Sequence, residues 1–256
     1  MKRSSDLPLT IRPVVALEDN YPAGFIDPYH VHHRSQLSYA TSGVMAVMTE
    51  QTSFVLPPHR AVWLPAGTMH QVTCTGPVTI NTLYIDPDLP DQPQACRVFE
   101  VSELVRALIH EILTFDHAYD VNGREGRIVR MLLDEIKRMP TIPVHAPMPK
   151  DRRLRRVCDL IIADPADQRS LDDWTSVAGM GRRTFTRAFK TETGMGLATW
   201  RQQVRLMAAI SLLASGRSIT SVAFDVGYDS PSSFTAMFHR ALGVPPSLYS
   251  RADTPG

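Results

Sequence analysis

SITSVAFDVGYDSPSSFTAMFHRALGVPPSLY, Ser218 to Tyr249, decides how this chain is read. Ile219, Val222, Ala223 and Val226 fall at helical spacing and run into Gly227, a residue that accepts the left-handed backbone of a tight turn. After Tyr228, Asp229 or Ser230 can cap a second helix, and Pro231 suits its first turn. Phe234, Phe238 and Leu242 then mark one apolar stripe, and Gly243 with Pro245-Pro246 ends it. The pattern predicts helix, tight turn, helix. Ser230, Ser232, Ser233, Thr235, His239 and Arg240 lie off the stripe, a donor-rich face that suits a major groove. Taken alone, the same face also fits an ordinary solvated surface helix.

The pattern occurs a second time in SLDDWTSVAGMGRRTFTRAFKTETG, Ser170 to Gly194. Ser170 and Asp173 form a box-like cap signal, Leu171, Trp174 and Val177 the stripe, Gly179 the turn, and Phe185 and Phe189 the repeated aromatic pair. Arg182, Arg183, Thr184, Thr186, Arg187 and Lys190 occupy the remaining face. Between the repeats, residues 197 to 216 carry no helix breaker before Gly216. A helix of about 19 residues spans roughly 28 Å, close to the ~34 Å between successive major-groove faces. Two reading helices on such a strut can address one side of a duplex.

From Arg152 to Tyr249 the chain resembles the DNA-binding domain of AraC/XylS-type transcription regulators. The Gly-Tyr after the second turn, the Ser-Phe opening of the last helix and the Phe-x-x-x-Gly-x-x-Pro ending carry the likeness. Trp174 and Thr175 depart from the Leu and Ala common in that family, which predicts looser packing of the first unit. The resemblance implies double-stranded DNA as the partner. Arg182, Arg183, Thr186 and Arg187, and Ser232, Ser233, Thr235 and His239, would stand near the bases, with Lys190 and Arg240 on phosphates.

The charge distribution agrees. Residues from Asp151 onward hold 14 Lys and Arg against 10 Asp and Glu, while the rest holds 13 against 16. The basic excess falls in the half that carries the repeats, as phosphate binding requires, although it is modest. Three scattered cysteines, Cys74, Cys96 and Cys158, form no disulfide or CxxC framework. The first residues lack the apolar core of a signal peptide, and no run is long enough to cross a membrane. A cytoplasmic protein with no membrane partner is expected.

Residues 11–90 read as β-structure: short apolar or alternating segments separated by Pro, Gly and Asp turns, the signature of a barrel or jelly roll. Within them, His30-x-His32, Gln36, Gly43 and Pro65-x-Gly67-x-x-His70 resemble the two motifs of the cupin fold. In cupin enzymes those histidines and an acid hold a divalent metal. The resemblance therefore implies a metal at His30, His32 and His70, with Gln36 in the acid position. An amide there weakens the site for a hard cation, while three imidazoles suit Zn, Ni, Cu or Fe. The competing reading is that these histidines line a pocket or satisfy local hydrogen bonds. His33 has no motif role, and His59 reads as a surface turn residue. An effector, small molecule or metal, is expected in the barrel mouth, with Arg34, Gln36, Tyr39, Trp63 and Met69 as candidate lining residues beside His70.

The expected fold class is therefore α+β multidomain: a cupin-like barrel at 11–90, a helical extension at 100–139, a Pro-rich linker at 140–150, and an all-α double helix-turn-helix domain at 151–250. The helices at 100–139 are expected to pack on the barrel and to supply a homodimer interface; RNA polymerase is a further partner for a regulator of this type. The functional expectation is a ligand-responsive regulator without catalytic activity. The rivals are a cupin metalloenzyme fused to a DNA-binding domain, and a constitutive DNA binder whose barrel only dimerises.

Overall fold

The computed structural model describes residues 12–56, 58, 60–74, 76–142 and 145–249. His59 lies outside the described residues. The fold is α+β: an N-terminal antiparallel β region, then helices. The strands are β1 (Val14–Tyr21), β2 (Ile26–His30), β3 (Ser35–Ser42), β4 (Met45–Thr49), β5 (Thr52–Leu56), β6 (Arg60–Leu64), β7 (His70–Cys74), β8 (Val78–Ile85) and β9 (Arg97–Glu100). Helices α1 (Glu103–Ile112) and α2 (Arg124–Arg138) follow, then strand β10 (His145–Pro147). The remaining helices are α3 (Arg152–Ala163), α4 (Leu171–Ala178), α5 (Arg182–Thr193), α6 (Leu197–Ala214), α7 (Ile219–Asp225) and α8 (Pro231–Leu242), with a 3-10 turn at Pro246–Tyr249.

The chain forms two compact units. The first comprises residues up to Met45 and Leu56–Ile142; the second comprises Ala46–Val55 and the residues from Pro143 on. In the first unit, five strands run in the order β1-β8-β3-β6-β9, and β2 pairs antiparallel with β7. Strand alternation sends successive side chains to opposite faces. Leu37, Tyr39, Ala61, Trp63, Leu83 and Ile85 share one face and pack with Val105, Ile109 and Ile112 of α1 and Val129, Leu132 and Ile136 of α2. Leu104, although apolar and on α1, is 48% exposed.

In the second unit, β10 pairs antiparallel with β5, joining His145 to Phe54 and Pro147 to Thr52. Residues 140–150, expected as a linker, thus contain a strand. Prolines suppress the strand signal in sequence, but an edge strand tolerates them because its outer N–H groups need no ladder partner. The Met148 backbone N–H continues the junction to the Gln51 carbonyl at 2.7 Å, and Arg155 Nη1 donates to the Glu50 carbonyl at 3.0 Å. Trp174, Phe185, Phe189, Trp200, Val222, Phe234 and Phe238 form the buried spine of the helices. Trp174 is wholly buried and lies under the Arg169 guanidinium at 4.0 Å, so the looser packing expected at this position is not observed.

Candidate functional site

Two arrangements carry chemistry, and each grows from local sequence. The first is the pair of helix-turn-helix units. Ser170 and Asp173 close a capping box on α4. Gly179 ends that helix in the left-handed conformation at φ 60°, and α5 starts two residues after Met180. Ser230 caps α8 with Pro231 in its first turn. Gly227 has φ +81°, and a Cβ there would stand 2.8 Å from the Arg205 guanidinium and 2.9 Å from the Ala166 backbone. Only glycine satisfies both that backbone and that approach.

The turns leave one face of each second helix open. Arg182, Arg183, Thr184, Thr186, Arg187 and Lys190 of α5 are exposed, while Phe185 and Phe189 are buried behind them. On α8, Ser232, Ser233, His239 and Arg240 are exposed and Thr235 is half-buried. Pro231, Ser232, Thr235, Ala236, His239 and Arg240 border one open depression. Not every predicted residue is equally available. Arg182 pairs with Asp172 of α4 at 3.1 Å, and the Thr186 hydroxyl donates to its carbonyl. Ser230 and Ser233 bond each other at the helix cap. Among the described residues, Arg183 and Arg187 have no ion pair.

The second arrangement is a histidine cluster in the β region. His30 ends β2, His70 begins β7, and the two are register partners. His32 follows two residues after β2. The ring centroids lie 4.3 Å apart for His30 and His70, 4.7 Å for His30 and His32, and 5.3 Å for His32 and His70. One ligating nitrogen from each lies within 4.8 Å of the others. Backbone carbonyls orient two of the rings: His30 Nδ1 is 2.7 Å from the Pro28 oxygen and His70 Nδ1 is 2.9 Å from the Thr68 oxygen. With Nδ1 protonated to serve those carbonyls, each ring keeps a lone pair on Nε2.

His32 is only 8% exposed, and its Nε2 has no hydrogen-bond partner. Burial, then the neighbouring His30 and His70, push its pKa down to about 3; burial likewise lowers that of His70. These two imidazoles are neutral at physiological pH. Neutral imidazoles with converging lone pairs fit a borderline transition metal.

The predicted pocket residues separate. Gln36 is buried, faces Tyr84 across the β3–β8 ladder and hydrogen-bonds its hydroxyl. Tyr84 meets His32 edge-on at 5.4 Å, which ties Gln36 to the cluster indirectly. Met69 is 40% exposed beside His70. Tyr39 and Trp63 point to the opposite face of the sheet, into the apolar cluster with α1 and α2, and so leave the pocket set. Arg34 Nη1 donates to the Arg12 carbonyl at 2.9 Å. His33 is exposed. Asp27, absent from the sequence reading, has Oδ2 3.7 Å from His30 Nε2.

Residues 174–252 match a family model described as a helix-turn-helix domain, and residues 13–136 match one described as an AraC-like ligand binding domain. The chain belongs to the AraC/XylS family of transcriptional regulators. This AraC-type chain is 29% identical over 222 residues to the HTH-type transcriptional regulator NimR of Escherichia coli, an alignment covering 87% of this chain and 81% of NimR. It is 37% identical over 141 residues to the HTH-type transcriptional regulator RipA of Corynebacterium glutamicum, covering 54% of this chain and 40% of RipA. A solved structure of the AdpA DNA-binding domain in complex with a target DNA aligns at 31% identity over 37% of this chain and 86% of that one, with a TM-score of 0.36. The AraC-type assignment makes this a DNA-binding regulator of transcription with a ligand-binding domain. Among the described residues, no helix is long and apolar enough to cross a membrane.

Proposed function

We propose that α5 and α8 read two successive major grooves on one side of operator DNA, and that the histidine end of the β region receives the effector. The observation that carries the DNA reading is the duplication itself: two exposed second helices separated by α6, whose 18 residues span roughly 27 Å. Arg183 and Arg187 act as base readers on α5, and Ser232, Thr235 and His239 on α8. Thr184, Lys190 and Arg240 hold phosphate and set register. Arg182 contributes less, because reading DNA first breaks its pair with Asp172.

His30, His32 and His70 hold a divalent transition metal, which serves as the effector or anchors one. When bound, the metal supplies a positive centre for a ligand oxygen or nitrogen donor. The carbonyls of Pro28 and Thr68 fix two of the rings, and Tyr84 closes on the third. The chain is read as a sensor without turnover, acting in the cytoplasm. A homodimer through the outer faces of α1 and α2 is supported by the exposed Leu104 and Met131. RNA polymerase is the partner through which bound operator would alter transcription. The test is affinity for an operator fragment with and without added metal, in the intact chain and in His70→Ala. Metal-dependent affinity lost in the variant supports the sensor; identical affinities in all four samples contradict it.

A further inference from the structure

We propose that Asp27, rather than the residue at the motif's acid position, supplies the anionic donor to the histidine site, making it a three-imidazole, one-carboxylate centre for a divalent transition metal. This rests on the reading of the cluster as a metal site and specifies its fourth ligand.

The first observation concerns Gln36. It carries no charge, and its amide is engaged by the Tyr84 hydroxyl across the β3–β8 ladder. A cation held by three neutral rings keeps its full double charge in a half-enclosed site, which is costly without an anionic partner.

The second observation is the path of β2. Asp27 and His30 are three residues apart, so a regular strand would send them to opposite faces. The β2–β7 ladder shifts register between these two residues, with Asp27 opposite Val72 and His30 opposite His70. A bulge of this kind re-aims a side chain and recurs beside functional sites. Its result is that Asp27 Oδ2 lies 3.7 Å from His30 Nε2, on the ring edge left free by the Pro28 carbonyl.

The third observation is the orphaned His32 Nε2, more than nine-tenths buried and without a partner. A buried imidazole nitrogen is normally satisfied. Here it borders a site that already has two oriented lone pairs and a carboxylate, and a shared cation satisfies all four. The donor set selects Zn, Co, Ni, Fe or Cu over Mg or Ca, which prefer all-oxygen shells.

The test uses the full chain, stripped with a chelator and titrated with Co(II), followed by visible absorption and by competition with Zn(II). The wild type should take up one ion per chain, and His32→Ala should abolish uptake. Asp27→Asn, which keeps the shape and removes the charge, should weaken affinity by about ten-fold or more and alter the Co(II) spectrum. Gln36→Ala should stay within about two-fold of wild type. Thermal melting of each variant controls for folding. If Asp27→Asn binds as tightly as wild type with an unchanged spectrum, or if Gln36→Ala loses as much affinity, the assignment of Asp27 is overturned while the histidine site stands. If the wild type takes up no ion, the histidine reading fails and this assignment fails with it.

Discussion

Trp200 donates its indole N–H to the Pro147 carbonyl oxygen at 2.7 Å and meets Phe189 of α5 edge-on. One side chain of α6 thereby fixes both the end of β10 and the buried side of α5. Trp174 is equally buried, but its indole N–H has no partner. The pair isolates one hydrogen bond. Trp200→Phe should cost about 1–3 kcal/mol more than Trp174→Phe, because it leaves a carbonyl unsatisfied. Urea unfolding of the two variants measures the difference; equal losses would show that the Pro147 bond contributes nothing.

The two turn glycines should respond differently to alanine. Gly179→Ala meets open space and pays only for a left-handed backbone, about 1–2 kcal/mol. Gly227→Ala pays that and also displaces Arg205 and the Ala166 backbone, so its loss should be clearly larger. A melting series showing equal costs would contradict the close approach at Gly227.

Arg183→Ala and Arg187→Ala should each weaken operator binding by about 1–3 kcal/mol and relax sequence choice. Arg182→Ala should cost less. Lys190→Ala should weaken all sequences alike and lower the salt slope by about one unit. Fluorescence anisotropy at several salt concentrations separates these outcomes, and a uniform response of all four variants would remove the division between base and phosphate contacts.

The histidine cluster predicts acid sensitivity of the metal-free chain. The unfolded imidazole of His32 takes up a proton near pH 6.5, whereas in the fold it does so only near pH 3. The unfolded state therefore binds more protons between those values. Stability is fully present above pH 6.5 and falls as pH drops through the window, by about 2 kcal/mol from this group at pH 5. His32→Gln should flatten the profile between pH 6.5 and 5; an unchanged slope would place the sensitivity elsewhere.

The helix-turn-helix units were legible because their signals are local: a cap serine, a turn glycine and two phenylalanines one turn apart. The second helix of each unit, marked in sequence by Phe185 and Phe189 and by Phe234 and Phe238, is α5 at Arg182–Thr193 and α8 at Pro231–Leu242. The three histidines were legible from motif spacing. Their surroundings were not, because strand facing depends on register. Tyr39 and Trp63 have the composition of pocket residues but the wrong parity relative to Gln36. Asp27 was invisible for the converse reason, since its odd spacing from His30 becomes a neighbour relation only through the bulge. Strand β10 was hidden by its prolines.

Selection of bound fragments from a random pool of duplex DNA by the intact protein tests the central claim most directly. Two helices seated in successive grooves predict two enriched blocks per bound chain, centred about 10–10.5 base pairs apart on one face of the helix. Arg183→Ala should erase information in one block while leaving the other. Recovery of a single block, or of no sequence preference, would contradict the account.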